Sequence, residues 1–313
     1  MADHIPVAVI GNGIIGHGVA QIFAAAGHPV VMVGRNPASL AKAMDNIRAS
    51  LAEFAEHKLL TDSIGAIAGR IKTTTALADV ASAGFVVEAV TEDLPLKLGI
   101  FEELDRICPP STILGSSSGQ PASALVPRVK HRARVIATHF WYPPQLIPLV
   151  EVCAGPETSP DVLKRTLDII KGAGKEPVVI DKEVPGFIGN RIQFAALREA
   201  WSLWASGAAS AEAIDAVVRN SIGRRLGITG PIESADVGGL DTMVAFGSFL
   251  MPHLNADPLP VTKVAEIAKG GHRGFSTGKG VYDWGKRGDG DALLKSRRAE
   301  LFRWLAVDKA AKR

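Results

Sequence analysis

The chain has 313 residues, 47% hydrophobic and 21% charged, which is the balance of a folded protein with room for two domains and excludes a disordered chain. Its formal net charge is +3, too weak a field to argue for nucleic acid or an acidic membrane surface, so the expected partner is a small molecule. The two cysteines, Cys108 and Cys153, have neither metal-ligand nor redox-motif spacing. They predict reduced thiols, with no disulfide and no metal site. The first residues run straight into a strand-like segment without a charged leader, and no apolar run approaches a membrane span. The expected location is therefore the cytoplasm.

In chain order, Pro6 to Ile10 is a short β-branched run ending at a glycine cluster, as a buried parallel strand should be. Ile14, Ile15, Val19, Ile22 and Phe23 form one helical stripe that Gly27 and His28 close before a second strand, Pro29 to Val33. The alternation continues through helices at 38–51 and up to about 68, strands at 70–73 and 85–90, a helix at 96–107, and strands at 112–114, 135–138 and 147–152. It predicts an α/β fold with a Rossmann-type, doubly wound and mostly parallel sheet. After a strand at 177–180 the pattern is almost entirely helical: 191–205, 211–218 with Ser210 as N-cap, 240–249, and a charged helix from Asp291. A dinucleotide-binding domain over 1–183 and a smaller all-α domain over 184–313, for substrate and dimerisation, are expected. The Gly-rich stretch 269–280 reads as a surface loop.

Gly11-Asn12-Gly13-Ile14-Ile15-Gly16 stands between the first strand and the first helix. Gly11 permits the tight turn, Gly13 lets phosphates approach the backbone, and Gly16 lets helix and strand pack; the context makes this a dinucleotide cradle. The second strand ends in Val33-Gly34-Arg35-Asn36, without the carboxylate that usually holds an NAD ribose. Arg35 with Asn36 suits a 2′-phosphate, so the cofactor is NAD or NADP with NADP suggested, unless Arg35 only stacks on adenine or points to water.

Four further segments occur together: Glu88 to Glu92 with Lys97, Gly115 to Gly119, His139 to Pro144 with Leu149 to Glu151, and Val184 to Arg191. With the cradle they resemble the 3-hydroxyacyl-CoA dehydrogenase family, including its lambda-crystallin-like members and relatives that oxidise small 3-hydroxy acids such as L-gulonate and carnitine. The resemblance runs to Thr277-Gly-Lys-Gly-Val-Tyr near the end. It implies that His139 acts on the substrate hydroxyl, that Glu151 holds its ring, and that Asn190 meets substrate across the cleft. Ser118 matches the serine that bonds the reacting oxygen, although the run Ser116 to Ser118 leaves Ser117 as an alternative. Glu92 and Lys97 would lie by the nicotinamide ribose; otherwise both belong to a solvated helix start. Imidazole suits this chemistry, because alcohol oxidation needs a base that works near neutral pH.

The sequence departs from the family pattern at two places: Tyr142 replaces an asparagine, and Gly34 replaces the acidic residue. Tyr142 is expected to donate a hydrogen bond or to fill a pocket near the substrate. Arg224 or Arg225, in Ser221-Ile-Gly-Arg-Arg-Leu-Gly, is expected to fork onto a substrate carboxylate, unless both pair with Glu233 or Asp236 at an interface. The reaction expected is oxidation of a 3-hydroxy acid or 3-hydroxyacyl-CoA by hydride transfer, with a small acid favoured and a homodimer as the assembly. A fatty-acid 3-hydroxyacyl-CoA dehydrogenase and an inactive dinucleotide-binding protein are the alternatives.

Overall fold

The computed structural model describes residues 4–311. Its first half alternates β1 (Val7–Ile10), α1 (Gly16–Ala25), β2 (Val30–Val33), α2 (Pro37–Glu56), α3 (Ile64–Gly69), β3 (Ile71–Thr74), β4 (Phe85–Glu88), α4 (Leu94–Ile107) and β5 (Ile113–Ser116). The short helix α5 (Ala122–Leu125), β6 (Val135–Phe140), β7 (Leu149–Ala154), α6 (Pro160–Gly172) and β8 (Glu176–Ile180) follow. The eight strands form one sheet in the order β3-β2-β1-β4-β5-β6-β7-β8. The order reverses between β1 and β4, which is where an open α/β sheet leaves a crevice beyond its strand ends. Every pairing is parallel except β6 with β7.

Successive strand residues serve opposite faces. Val7, Val9, Val30, Met32, Phe85 and Val87 enter one core, and Ala8, Ile10, Val86 and Leu114 the other. Both faces are covered by helices, which explains why the strands read as unbroken apolar runs. The expected strands at 112–114 and 147–152 begin one and two residues later, at Ile113 and Leu149.

The rest of the chain is helical: α7 (Phe187–Ala205), α8 (Ala211–Asn220), α9 (Ile222–Arg225), α10 (Pro231–Gly238), α11 (Leu240–Leu250), α12 (Thr262–Lys269), α13 (Trp284–Arg287) and α14 (Gly290–Ala311). Ser210 caps α8, accepting the Ala213 N–H. The stretch expected as a Gly-rich loop contains a 3-10 turn at Phe275–Thr277. By contacts the chain divides into one unit that ends at Ile188 and resumes at Arg297, and a second spanning Gly189–Ser296. The sequence border at 183/184 lies just ahead of that division. The end of α14 belongs with the first unit because Phe302 and Leu305 pack with Phe54 and Leu146, while Arg298 pairs with Glu53. No helix among the described residues is long and apolar enough to cross a membrane.

One polar link ties α4 to the approach to β6. Arg134, 3% exposed, donates to the Asp105 carboxylate at 2.7 Å and to the Asp105 carbonyl at 2.9 Å. Burial pushes the Asp105 carboxyl up, but bonds from Arg134, the Lys130 N–H and His131 outweigh it and hold the group below its ordinary value. A depressed carboxyl contributes stability above its unfolded value, near pH 4, and that contribution is lost as pH falls through the folded value. Asp105→Asn leaves the buried guanidinium uncompensated and is expected to cost about 3 kcal/mol or more. Urea melts at pH 7 and pH 3 check this: the gap between variant and wild type should be large at pH 7 and smaller at pH 3.

Candidate active site

The turn from β1 into α1 has the geometry of a phosphate cradle. Gly11 has φ +108°, and a Cβ there would come within 2.6 Å of the Ala89 carbonyl oxygen just beyond β4. A Cβ on Gly16 would lie 1.9 Å from the Gly11 carbonyl oxygen. Gly16 therefore lets the turn close on itself; the strand side chain it faces, Val9, is only at ordinary contact distance. Open space surrounds Gly13 where a Cβ would be. Asn12, Ile14 and Ile15 complete the turn, with Ile14 exposed. Side chains of Asn36, Ser63, Asp93 and Ser159 cap α2, α3, α4 and α6, whereas no side chain caps α1. An uncapped helix start under open space fits a dinucleotide pyrophosphate.

At the end of β2, Arg35 is exposed. The Asn36 side-chain oxygen accepts the Ser39 N–H at 2.8 Å and so caps α2. A Cβ on Gly34 would meet Leu40 Cδ2 at 2.6 Å and Asn12 Oδ1 at 2.9 Å. The missing carboxylate thus coincides with a filled space.

A buried polar cluster lies at the ends of β4 and β5. Glu88 is fully buried and Lys97 is 1% exposed. Lys97 Nζ donates to Glu88 Oε1 at 2.8 Å, the Val90 N–H donates to the same oxygen at 2.7 Å, and Ser116 Oγ donates to Oε2 at 2.6 Å. Lys97 is therefore not part of a solvated helix start. Its ammonium also lies 3.8 Å from Glu92, whose side chain is 58% exposed. Ser118 Oγ donates to Glu92 Oε2 at 2.6 Å and accepts the Gln120 N–H at 3.0 Å. Buried and committed, Ser118 has its proton on Glu92. Ser117 is less buried, and its Oγ accepts the Phe140 N–H at 3.2 Å, beside His139, with its own O–H left to donate.

His139 and Glu151 are direct cross-strand partners in the antiparallel β6–β7 pair. The imidazole Nδ1 lies 2.8 Å from Glu151 Oε2. An ionised carboxylate only accepts, so Nδ1 carries the proton and Nε2 presents a lone pair. The Trp141 indole N–H reaches the same Oε2 at 2.9 Å, and the Ile188 N–H reaches Oε1 at 3.0 Å. Phe187 packs against the imidazole with ring centroids 5.6 Å apart. It is delivered by a turn in which Gly186 and Phe187 both have positive φ, +77° and +51°. Tyr142 is 56% exposed just past the strand. Two strand positions beyond Glu151, burial lifts the Cys153 thiol to about 11, with Glu183 and Asp181 adding to the rise.

The remaining predicted residues belong to the second unit. Asn190 is the fourth residue of α7 and half-buried. Arg224 and Arg225 end α9, both exposed, and neither guanidinium meets a carboxylate among the described residues. Glu233, one of their conceivable partners, accepts the Gly230 N–H at the start of its own helix. Sequence reasoning gave no role to Trp141 or to Glu88. A lone acid ending the apolar run Phe-Val-Val-Glu was the available signal for Glu88.

Residues 6–184 match the family model of the 3-hydroxyacyl-CoA dehydrogenase NAD binding domain, and residues 186–284 match that of the 3-hydroxyacyl-CoA dehydrogenase C-terminal domain. The chain belongs to the 3-hydroxyacyl-CoA dehydrogenase family. It is 32% identical over 278 residues to the 5-formyl-3-hydroxy-2-methylpyridine 4-carboxylate 5-dehydrogenase of Mesorhizobium japonicum, covering 88% of this chain and 89% of that one. The mitochondrial hydroxyacyl-coenzyme A dehydrogenase of Sus scrofa is 34% identical over 288 residues, covering 89% and 90%. Among solved structures, a 5-formyl-3-hydroxy-2-methylpyridine 4-carboxylic acid 5-dehydrogenase, described as an NAD+ dependent dismutase, superposes with TM-score 0.89 at 29% identity over 97% of this chain and 98% of that one. The (S)-3-hydroxybutyryl-CoA dehydrogenase of Ralstonia eutropha gives TM-score 0.72 at 33% identity over 90% and 99%. The expected fold and family are thus borne out, and the chain is a dehydrogenase with an NAD binding domain.

The cradle can be tested directly. Gly16→Ala forces a methyl against the Gly11 carbonyl and should weaken dinucleotide binding by at least tenfold, as measured by cofactor fluorescence titration. An unchanged Kd would show that the turn has room the geometry does not allow.

Proposed function

We propose that this dehydrogenase oxidises the hydroxyl carbon of a small carboxylate-bearing substrate, with His139 as the base. The carrying observation is the imidazole whose Nδ1 proton is fixed on buried Glu151, so that Nε2 can take the hydroxyl proton while the carboxylate stabilises the imidazolium that forms. When bound, the nicotinamide supplies the hydride acceptor. Ser117, with a free O–H beside His139, is better placed to bond the reacting oxygen than Ser118, which helps fix Glu92 instead. Buried Lys97 lies 3.8 Å from Glu92, and in this reading both residues serve the nicotinamide ribose. Asn190 is the candidate for a further substrate contact, and Arg224 or Arg225 for the substrate carboxylate. Tyr142 narrows the approach to the substrate.

The more extensive fold match is with an enzyme whose named substrate is a small pyridine carboxylic acid, and this supports a free acid over an acyl-CoA. The exposed Arg35 and the absence of a carboxylate at Gly34 support acceptance of NADP alongside NAD. Exposed apolar side chains on α10, α11 and the segment before them, including Ile228, Val237 and Phe249, support a homodimer formed through the second unit. Two buried unpaired thiols support a cytoplasmic setting.

Turnover of free 3-oxo acids, pyridine carboxylic aldehydes and acetoacetyl-CoA with NADH and NADPH tests the substrate reading, which fails if only the CoA ester reacts. His139→Ala should lower kcat by roughly two to four orders of magnitude with cofactor Kd nearly unchanged; full residual activity removes His139 as the base. Arg35→Ser should lower the NADPH-to-NADH ratio of kcat/KM by about tenfold, the size of one charge-assisted contact. An unchanged ratio excludes Arg35 from cofactor choice.

A further inference from the structure

The Glu151 carboxylate is 3% exposed, and a buried carboxylate is tolerated only when donors replace the water it has lost. Two of them converge on a single oxygen, Oε2: the imidazole Nδ1–H at 2.8 Å and the Trp141 indole N–H at 2.9 Å. Trp141 follows His139 by two residues, so the two rings leave the chain on the same side, and they meet edge to face with centroids 5.7 Å apart. An aromatic residue that merely filled space would not need its single polar atom on that oxygen. The indole also differs chemically from the imidazole that shares its acceptor. It donates only, does not titrate in the working range of a dehydrogenase, and cannot exchange roles with the imidazole.

We infer that Trp141 is a positioning residue that holds Glu151 Oε2 against His139 and, by sharing that oxygen, sets how strongly the carboxylate supports a protonated imidazole. The proposal rests on His139 being the base. Sharing draws negative charge from Oε2 toward the indole, so the imidazolium gains less than it would from an undivided carboxylate. The base then sheds its proton more readily at the end of each turnover. The same contact stops the carboxylate from rotating, which fixes the imidazole plane and the direction of Nε2. The other charged or titratable groups on surrounding elements include Glu92 and the Glu88–Lys97 pair at and beyond the end of β4, Tyr142 after β6, Cys153 on β7, and Asp181, Lys182 and Glu183 after β8. Of these, Glu88, Lys97 and Glu92 are engaged with one another and with the serine turn, and Glu183 accepts the Ser123 N–H. The carboxylate bonded to the ring is Glu151.

Trp141→Phe keeps the ring and removes the N–H. With Oε2 no longer shared, the imidazolium is held to higher pH, so the acid limb of the kcat/KM profile should move upward by about half a pH unit or more, and plateau kcat should fall about three- to tenfold. Cofactor Kd should not change. A limb superimposable on that of wild type overturns the proposal. His139→Gln assayed alongside separates the two readings: if it remains fully active, the base assignment fails whatever Trp141 does. A second measurement uses the wild-type protein, with its five tryptophans carrying 15N in the indole. One indole N–H resonance should follow the midpoint of the acid limb and stop doing so in His139→Gln. If none follows it, the coupling does not exist and the proposal is wrong even should Trp141→Phe fail to fold.

Discussion

The antiparallel pairing of β6 with β7 is the constraint on which the site depends. In a sheet that is otherwise parallel, two strands this close in sequence can be neighbours only if the chain turns straight back, because a parallel neighbour needs a long crossover. The reversal puts His139 directly opposite Glu151. It is held at its connection by Lys175, 5% exposed, which donates to the Pro144 carbonyl at 2.5 Å and the Ile147 carbonyl at 2.9 Å. It also has a topological consequence. Gly11, Glu88, Ser116 and His139 stand at or just beyond the C-terminal ends of parallel strands, where open α/β sheets bind ligands. Because β7 runs the other way, Glu151 near its start reaches the same edge.

Two carboxylates at that edge are buried, and the sheet handles them differently. Glu88 is neutralised by Lys97 and spends its second oxygen on Ser116, so its charge is consumed in fixing the turn that carries Ser117 and Ser118. Glu151 receives imidazole, indole and backbone N–H groups. The imidazole, the indole and the Ile188 N–H carry no permanent full charge, unlike the Lys97 ammonium at Glu88. That contrast is physical grounds for assigning scaffold work to one acid and proton work to the other.

Much of this architecture was legible in the sequence. Short apolar runs such as Val7–Ile10 and Phe85–Glu88 read as buried strands from their length and their flanking turn residues, and glycines at 11, 13 and 16 after the first of them mark the cradle. His139 and Glu151 were readable as a pair only through the family resemblance; their cross-strand register depends on where β7 begins, and strand ends are not fixed by apolar patterning. The docking of α14 on the first unit was hidden because charged residues interrupt the helix's apolar pattern and its anchors, Phe302 and Leu305, find their partner in Phe54, some 250 residues away. The choice between Ser117 and Ser118 turns on one hydrogen bond to Glu92. Asn36, followed by proline at the start of a helical run, carries an N-cap signature, and its oxygen caps α2.

The end of β2 shows why the lost acidic residue is more than a missing charge. Leu40, 4% exposed, occupies the volume a side chain at Gly34 would need, and Asn12 from the cradle closes the other side. An acid could return there only if the Leu40 side chain and the Asn12 amide moved aside, so the side chains around position 34 are packed against glycine. With that volume filled by hydrocarbon, a ribose hydroxyl finds no acceptor at position 34, and the polar group next in line is Arg35. A guanidinium offers donors and a positive charge, which a 2′-hydroxyl uses weakly and a 2′-phosphate uses fully. The proposal that a phosphorylated ribose is accepted therefore rests as much on the packing of Leu40 against Gly34 as on the arginine.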